Sequence, residues 1–529
     1  MKDVLPFWFR GCLWLCLFGL LTASSPAQTP DFSLVPEHWF ETRTDHFHIY
    51  SCGTPQAVFK LAGRLEQFCK AYGWLAGTQS ISSPPIAVMA FPNHETLTPF
   101  LPLYQGQPAN LAAFFMRGSD ENLIVLSLPE ADAGADDMAV IFHEYTHLLF
   151  RHNDRFWPVW LQEGMAEVYS TFATAGGSVT IAGPIAHHLE LLKQTPLMPL
   201  SELFGVKHDS PQYNESSRQG IFYAESWLLA QFLVAGDQPA LRARFGRYTE
   251  LLRQGENAEE AFTNALRISL PGMAAQLQRY LANEVFVPIQ LQVAGNIAAP
   301  INLTTHTMTP VEIYFRLGDE LLRINRLDTA GAFFDAAQKL APASPLPYEG
   351  KGLLAVQSED YNEALSELTT ALQRGSTSFL AYFIYARERY RLTANGGDRY
   401  GPIKDEAAAE VSTDLQKSLS LMPEYAPAHE LLGFFEMVQG GDPVETEKQL
   451  QWAIQLEPEN DSYLFTLAEF QFRTGAAAEA RRPAPAMDRR EPARGGRSGA
   501  AMEGAPPGKG WRSAAGKENR GCHQPCSAK

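Results

Sequence analysis

The sequence predicts two architectures in series: an α+β lobe over about residues 30–295, then an all-α array of helix pairs over about 311–475. Three observations carry this. In the first stretch, short apolar runs of strand type are interleaved with helical periodicity. In the second, small residues recur at a fixed helix-pair spacing. Inside the first lies MAVIFHEYTHLLF (138–150), an apolar run that reads as a buried helix yet carries His143, Glu144 and His147.

Taken in order, Lys2 and Arg10 precede an apolar core at 11–21 and then the small-residue run Thr22-Ala23-Ser24-Ser25-Pro26-Ala27. That is the layout of a secretory signal peptide over 1–27, so the chain is expected to be exported, to the periplasm or the outside. The core is short for a bilayer span, which favours the signal peptide, and a retained anchor is the alternative. No later run is long and apolar enough to span, so no membrane span is expected after cleavage. Cys52 and Cys69 would remain in the exported protein, as a disulfide or as two buried thiols. The formal net charge of −16 argues against nucleic acid or an anionic membrane as the main partner.

Residues 44–51 alternate as a strand does, and helical periodicity follows from about Ala57 to Trp74. PIAVMAF (85–91) is a short apolar strand-type run. NLAAFFM (110–116) and NLIVLSL (122–128) flank Gly118-Ser119-Asp120, a turn signal. An edge strand there could take an extended peptide as an added strand, a role expected of residues 110–115.

The next helix carries the chemistry. Two histidines four apart on a helix share a face, so His143 and His147 can both reach one tetrahedral Zn²⁺. Glu144 follows the first of them, placed to take a proton from the water that a metal would activate. Unpaired ionisable groups among Val140, Ile141, Phe142, Leu148 and Leu149 would be costly, which argues against two idle histidines. Downstream, WLQEGMAE (160–167) places Glu163 and Glu167 four apart as well. Glu163 is expected as third ligand, leaving the fourth position for water. Glu167 is expected behind it, accepting the other N–H of a ligand histidine. Trp157 and Trp160 either wall the site or pack in the core. Tyr223, opening an apolar helix that runs to about Val234, is the expected donor to a developing oxyanion, with Tyr213 as runner-up. His187, His188 and His208 are given no role.

HEYTH, then PVWLQEGMAE, then YNESSRQGIFYAESWLLAQFL resemble the peptidase MA-like gluzincins, thermolysin-related zinc metallopeptidases, over most of residues 35–240. The resemblance implies a zincin-like fold and one zinc per chain. It implies His143, His147 and Glu163 as ligands and Glu144 as base. Fifteen residues separate His147 from Glu163, so the connection must be compact.

From about Val311 the pattern changes. Gly318, Gly352 and Ala386 fall thirty-four apart, as do Ala330 and Ala364, and Ala337 and Ala371. With Phe334 and Pro342 at matching places these resemble tetratricopeptide repeats, in which small side chains sit where paired helices cross. A Gly-rich polar loop at 395–404 interrupts the third unit. Pro423, Gly433, Ala453, Pro458 and Ala468 then resume it, for about four repeats with the last cut short. Such stacks expose a concave surface suited to a protein or peptide. From Ala476 the composition turns to Ala, Gly, Pro and Arg. Residues 476–529 read as a disordered basic tail or as a reading-frame error.

The fold expected is thus an α+β zincin-like metallopeptidase domain followed by an all-α tetratricopeptide-repeat solenoid. The function expected is a zinc metallopeptidase acting on a peptide or protein substrate, with a protein partner or substrate on the repeats. The alternative is a repeat-based binding scaffold carrying an inactive or structural zincin lobe.

Overall fold

The computed structural model describes residues 32 and 35–475, apart from 77–85, 129–137, 151–155, 293–301, 395–401 and positions 105, 110, 112, 176, 209, 215, 237 and 459. The expected signal peptide and the basic tail lie outside the described residues.

Alternating side chains build the first sheet. β1 (Phe40–Arg43) and β2 (Phe47–Ser51) pair antiparallel, followed by α1 (Pro55–Ala76), β3 (Ile86–Phe91), α2 (His94–Leu97), β4 (Leu103–Tyr104), β5 (Gln107–Pro108), β6 (Ala113–Met116) and β7 (Asn122–Ser127). The strand expected over 44–51 begins only at Phe47. Thr44, Asp45 and His46 form a turn pinned to α1, where Glu66 accepts from Thr44 Oγ1 (2.6 Å) and pairs with His46 Nδ1 (2.8 Å). The metal-motif helix α3 (Ala139–Phe150) comes next, then α4 (Val159–Ser170), β8 (Ala173–Ala175), β9 (Ser178–Ile181), α5 (Ala186–Gln194), α6 (Leu200–Gly205), α7 (Pro211–Asn214) and α8 (Ser216–Ala235). The lobe continues with α9 (Pro239–Arg253), α10 (Ala258–Leu266), α11 (Leu270–Asn283), β10 (Ile289–Gln292) and β11 (Thr304–Thr307).

The main sheet has the order β11-β1-β2-β3-β7-β6, with β2, β3 and β7 parallel and β6 antiparallel at one edge. Its centre is apolar on both faces. Along β3, Ile86, Val88 and Ala90 face the core with Phe68, Phe142, Tyr145 and the helices around α4. Ala87, Met89 and Phe91 face the other way, onto Ile313, Leu317, Leu321, Phe333 and Phe334. A sheet buried on both sides needs a cover on each.

That second cover comes from the helical array. α12 (Pro310–Arg323) and α13 (Leu327–Leu340) form the first helix pair and supply those five residues. The expected domain boundary between 295 and 311 therefore falls within one sheet, because β11 pairs with β1 and leads directly into α12. The two expected domains share a core. Cys52 packs in this second cluster and Cys69 in the first, on opposite faces of the sheet, and both are free thiols.

The array goes on as α14 (Leu346–Gln357) with α15 (Tyr361–Gln373), α16 (Phe379–Ala394) with α17 (Asp405–Leu421), and α18 (Ala426–Gln439) with α19 (Pro443–Leu456). α20 (Asp461–Arg473) closes it among the described residues. The recurring small residues sit at the crossings. A Cβ on Gly318 would come within 2.6 Å of the Phe334 ring, and one on Gly352 within 2.6 Å of Leu368 Cγ. Ala330, Ala337, Ala364 and Ala371 are wholly buried. Among the described residues no helix is long and apolar enough to cross a membrane.

Candidate metal centre

α3 buries Ile141, Phe142, Tyr145, Thr146, Leu148 and Leu149 and turns His143, Glu144 and His147 to a half-buried side; Val140, expected inside, is exposed. α4 packs against α3 and is buried along almost its whole length. It is held close to α8 by Gly164, where a Cβ would lie 2.4 Å from the Ser226 carbonyl oxygen and 2.9 Å from Ala230 Cβ. Gly164→Ala is expected to push α4 off α8, cost on the order of 1–3 kcal/mol and shift the adjacent Glu163. Thermal melting together with metal titration checks both effects.

Three atoms meet between α3 and α4. His143 Nε2 and His147 Nε2 are 3.2 Å apart, and Glu163 Oε2 lies 3.3 Å from the first and 3.4 Å from the second. Donors on a tetrahedral zinc with bonds of about 2.0–2.1 Å stand about 3.3–3.4 Å from one another. The Glu163 side chain is 3 % exposed, and its Oε2 accepts no well-directed hydrogen bond from any neighbour. A buried carboxylate oxygen left without a donor beside two imidazole nitrogens is what a bound cation would satisfy. The set His143, His147, Glu163 fits zinc by atom type, number and spacing.

The surroundings hold these groups in place. Glu163 Oε1 accepts from the Tyr213 hydroxyl at 3.1 Å. Glu167 Oε1 is 3.4 Å from His143 Nδ1, and its Oε2 is 3.4 Å from His188 Nε2. Glu167 thus bridges a ligand candidate and a second, buried histidine, the placement expected of a group that fixes a ligand's tautomer. Burial alone would raise the Glu163 carboxyl, but the charges of the neighbouring His147 and His143 imidazoles hold it well below the usual carboxylate range. Glu167 is likewise penalised by burial, and the His143 and His188 imidazoles beside it bring it down to about 2. Burial works against the His143 imidazolium, yet Glu163 and Glu167 raise its pKa well above the ordinary value. The pocket is thus built to hold positive charge.

Of the two tyrosines, Tyr213 touches the ligand set. Tyr223 lies with its ring centroid 6.2 Å from that of His143 and 6.1 Å from that of Tyr213, and the two hydroxyls are hydrogen-bonded. Trp157 packs on Phe150, and Trp160 packs among Phe204, Tyr248 and Phe262, so both are core residues. His188, given no role from the sequence, is the group that sequence reading missed. It is 4 % exposed on α5 and meets Glu167 only through the packing of α5 on α8. β6 is one of the two edge strands of the sheet and lies against α3; residues 110 and 112 of the expected peptide-binding stretch fall outside the described residues.

One further buried carboxylate stands on α8. Glu225 Oε2 accepts from the Met198 backbone N–H at 2.9 Å, and Oε1 has no donor. Burial, reinforced by the charge of Glu202, pushes its pKa up to about 8. A raised carboxyl contributes stability that is fully present below the unfolded value of about 4.3 and lost as pH rises through about 8. Glu225→Gln removes that loss. Urea denaturation at pH 9 is expected to show the variant more stable by a few kcal/mol, on the order of two to three, with the two proteins nearly equal at pH 4.5.

No protein-family model and no curated protein matches the chain. Among solved structures it is similar to YrrB, described as a TPR protein with an unusual peptide-binding site (20% identity, 32% of this chain and 80% of that one, TM-score 0.27). It is also similar to MamA (18% identity, 32% and 86%, TM-score 0.27). A third is a thermophilic TPR protein of Thermus thermophilus (24% identity, 32% and 86%, TM-score 0.26). Two of these three are described as TPR proteins; in this chain the helix pairs from α12 to α20 stack one on the next as a helical solenoid.

Proposed function

We propose that the chain is an exported zinc-dependent metallopeptidase that hydrolyses peptide bonds, with its repeats engaging substrate or partner. The observation that carries this is the convergence of His143 Nε2, His147 Nε2 and the undonated Glu163 Oε2 within 3.4 Å. Bound there, zinc would polarise a scissile carbonyl and acidify a water. Glu144, half-buried beside His143 on α3, accepts the proton of the attacking water and returns it to the leaving amine. Glu167 keeps His143 oriented through Nδ1, and Tyr213 holds Glu163 by its second oxygen. Tyr223, its ring centroid 6.2 Å from that of His143, is the proposed donor to the developing oxyanion. An extended peptide can add to the sheet along β6, whose outer edge is unpaired in the sheet order.

The second reading is a repeat-based protein-binding scaffold with a structural zincin lobe. It is favoured by the solenoid of α12–α20, since stacks of this kind present a continuous surface to partners. Incubating the mature protein with denatured protein separates the two. The peptidase reading expects cleavage that a chelator stops and added zinc restores. Partner capture without cleavage supports the scaffold and rejects the enzyme.

A further inference from the structure

The β6–β7 turn, Arg117-Gly118-Ser119-Asp120-Glu121, inserts two carboxylates into the helical array. Arg323 of α12 grips Asp120 with both terminal nitrogens, Nη1 to Oδ1 at 3.2 Å and Nη2 to Oδ2 at 2.5 Å. Arg316, two turns earlier on α12, donates Nη2 to Glu121 Oε2 at 2.8 Å, and its Nη1 forms an ion pair with Oε1 at 2.7 Å. Its guanidinium lies 4.3 Å from the Tyr50 ring centroid. Asp319 stands between the two arginines and receives both, at 3.3 and 3.0 Å. On the far side, Tyr425, the cap residue just before α18, is hydrogen-bonded to Ser119.

The contact has the marks of a fitted site. The Arg323–Asp120 pair is forked, planar group to planar group, the Arg316–Glu121 pair is held by one hydrogen bond and an ion pair, and all four side chains are 17 % exposed or less. Gly118 has no room for a side chain: a Cβ would lie 2.3 Å from the Glu121 carbonyl oxygen and 3.1 Å from Arg323 Nη1. The gripping residues come from the first helices of the first and fourth pairs, so the turn reaches across most of the array. β6 itself is only four residues long and pairs with β7 alone. A strand that short gets little from its own ladder. Besides its packing on α3, the anchored turn at its end constrains its course.

We propose that the first-helix face of the repeats is a carboxylate-recognising surface whose ligand is the protein's own β6–β7 turn, and that this grip sets the position of the edge strand beside the metal cluster. The repeats therefore act as a positioning device for β6. The grip stands on contacts alone; its consequence for peptide binding rests on the peptidase reading.

The test uses the full mature chain carrying Asp120→Asn or Tyr425→Phe, both of which keep side-chain shape. Hydrogen exchange at residues 113–116 is expected to quicken about tenfold in Asp120→Asn and less in Tyr425→Phe, with α3 and α4 unchanged. Cleavage of a denatured protein is expected to show KM raised several-fold, about three- to tenfold, and kcat within about twofold. Unchanged exchange at 113–116 in both variants overturns the grip, and so does a rise spread evenly over the whole chain. Exchange does not depend on turnover. Faster exchange in a protein that cleaves nothing would uphold the grip and reject the peptidase.

Discussion

On the proposed peptidase reading, Glu144→Ala is expected to keep bound zinc and to lose peptide hydrolysis by about 10²–10⁴-fold, the contribution of a positioned general base. The reason lies in the division of labour on α3. The atoms that converge belong to His143, His147 and Glu163, and Glu144 is not one of them. Among the described residues it has no hydrogen-bonding or ion-pairing duty that its removal would break. Zinc content by elemental analysis and initial rates on a peptide substrate, taken on one preparation, check the pair of outcomes. Full activity in the variant would remove Glu144 from the reaction.

His147→Ala behaves in the opposite way and loses metal and hydrolysis together. Two of the three convergent atoms cannot complete the set, and the Glu163 carboxylate keeps only His143 and the Tyr213 hydroxyl beside it. Glu163 is buried, so leaving it with one histidine fewer also costs stability, about 1–3 kcal/mol. Isothermal titration with zinc shows the first effect and thermal melting the second. Retention of one tightly bound zinc per chain in His147→Ala would place the metal elsewhere. The contrast between neighbours on one helix, one variant keeping the ion and the other losing it, is stronger evidence than either result alone.

The convergence of His143, His147 and Glu163 could be anticipated from the sequence because its parts are local. His143 with His147, and Glu163 with Glu167, are each one helical turn apart, and turn geometry needs no tertiary information. The array of helix pairs was legible for a similar reason, since Gly318 and Gly352 mark crossings that recur with the period of the unit. What escaped depends on pairs far apart in the chain. Asp120 meets Arg323 across 203 positions, and Glu121 meets Arg316 across 195. His188 reaches Glu167 only because α5 packs on α8. The choice between Tyr213 and Tyr223 turned on which face of two short segments looks at Glu163, and no periodicity encodes that. The shared sheet escaped because residues 304–307, four polar side chains, read as a linker and not as the edge strand that they form.

Anomalous diffraction at the zinc edge, from crystals of the mature protein grown with zinc, tests the central claim most directly. The account predicts one peak per chain, bonded by His143 Nε2, His147 Nε2 and Glu163 Oε2. A peak at another site, or no peak with Glu163 turned away from the two imidazoles, would contradict it.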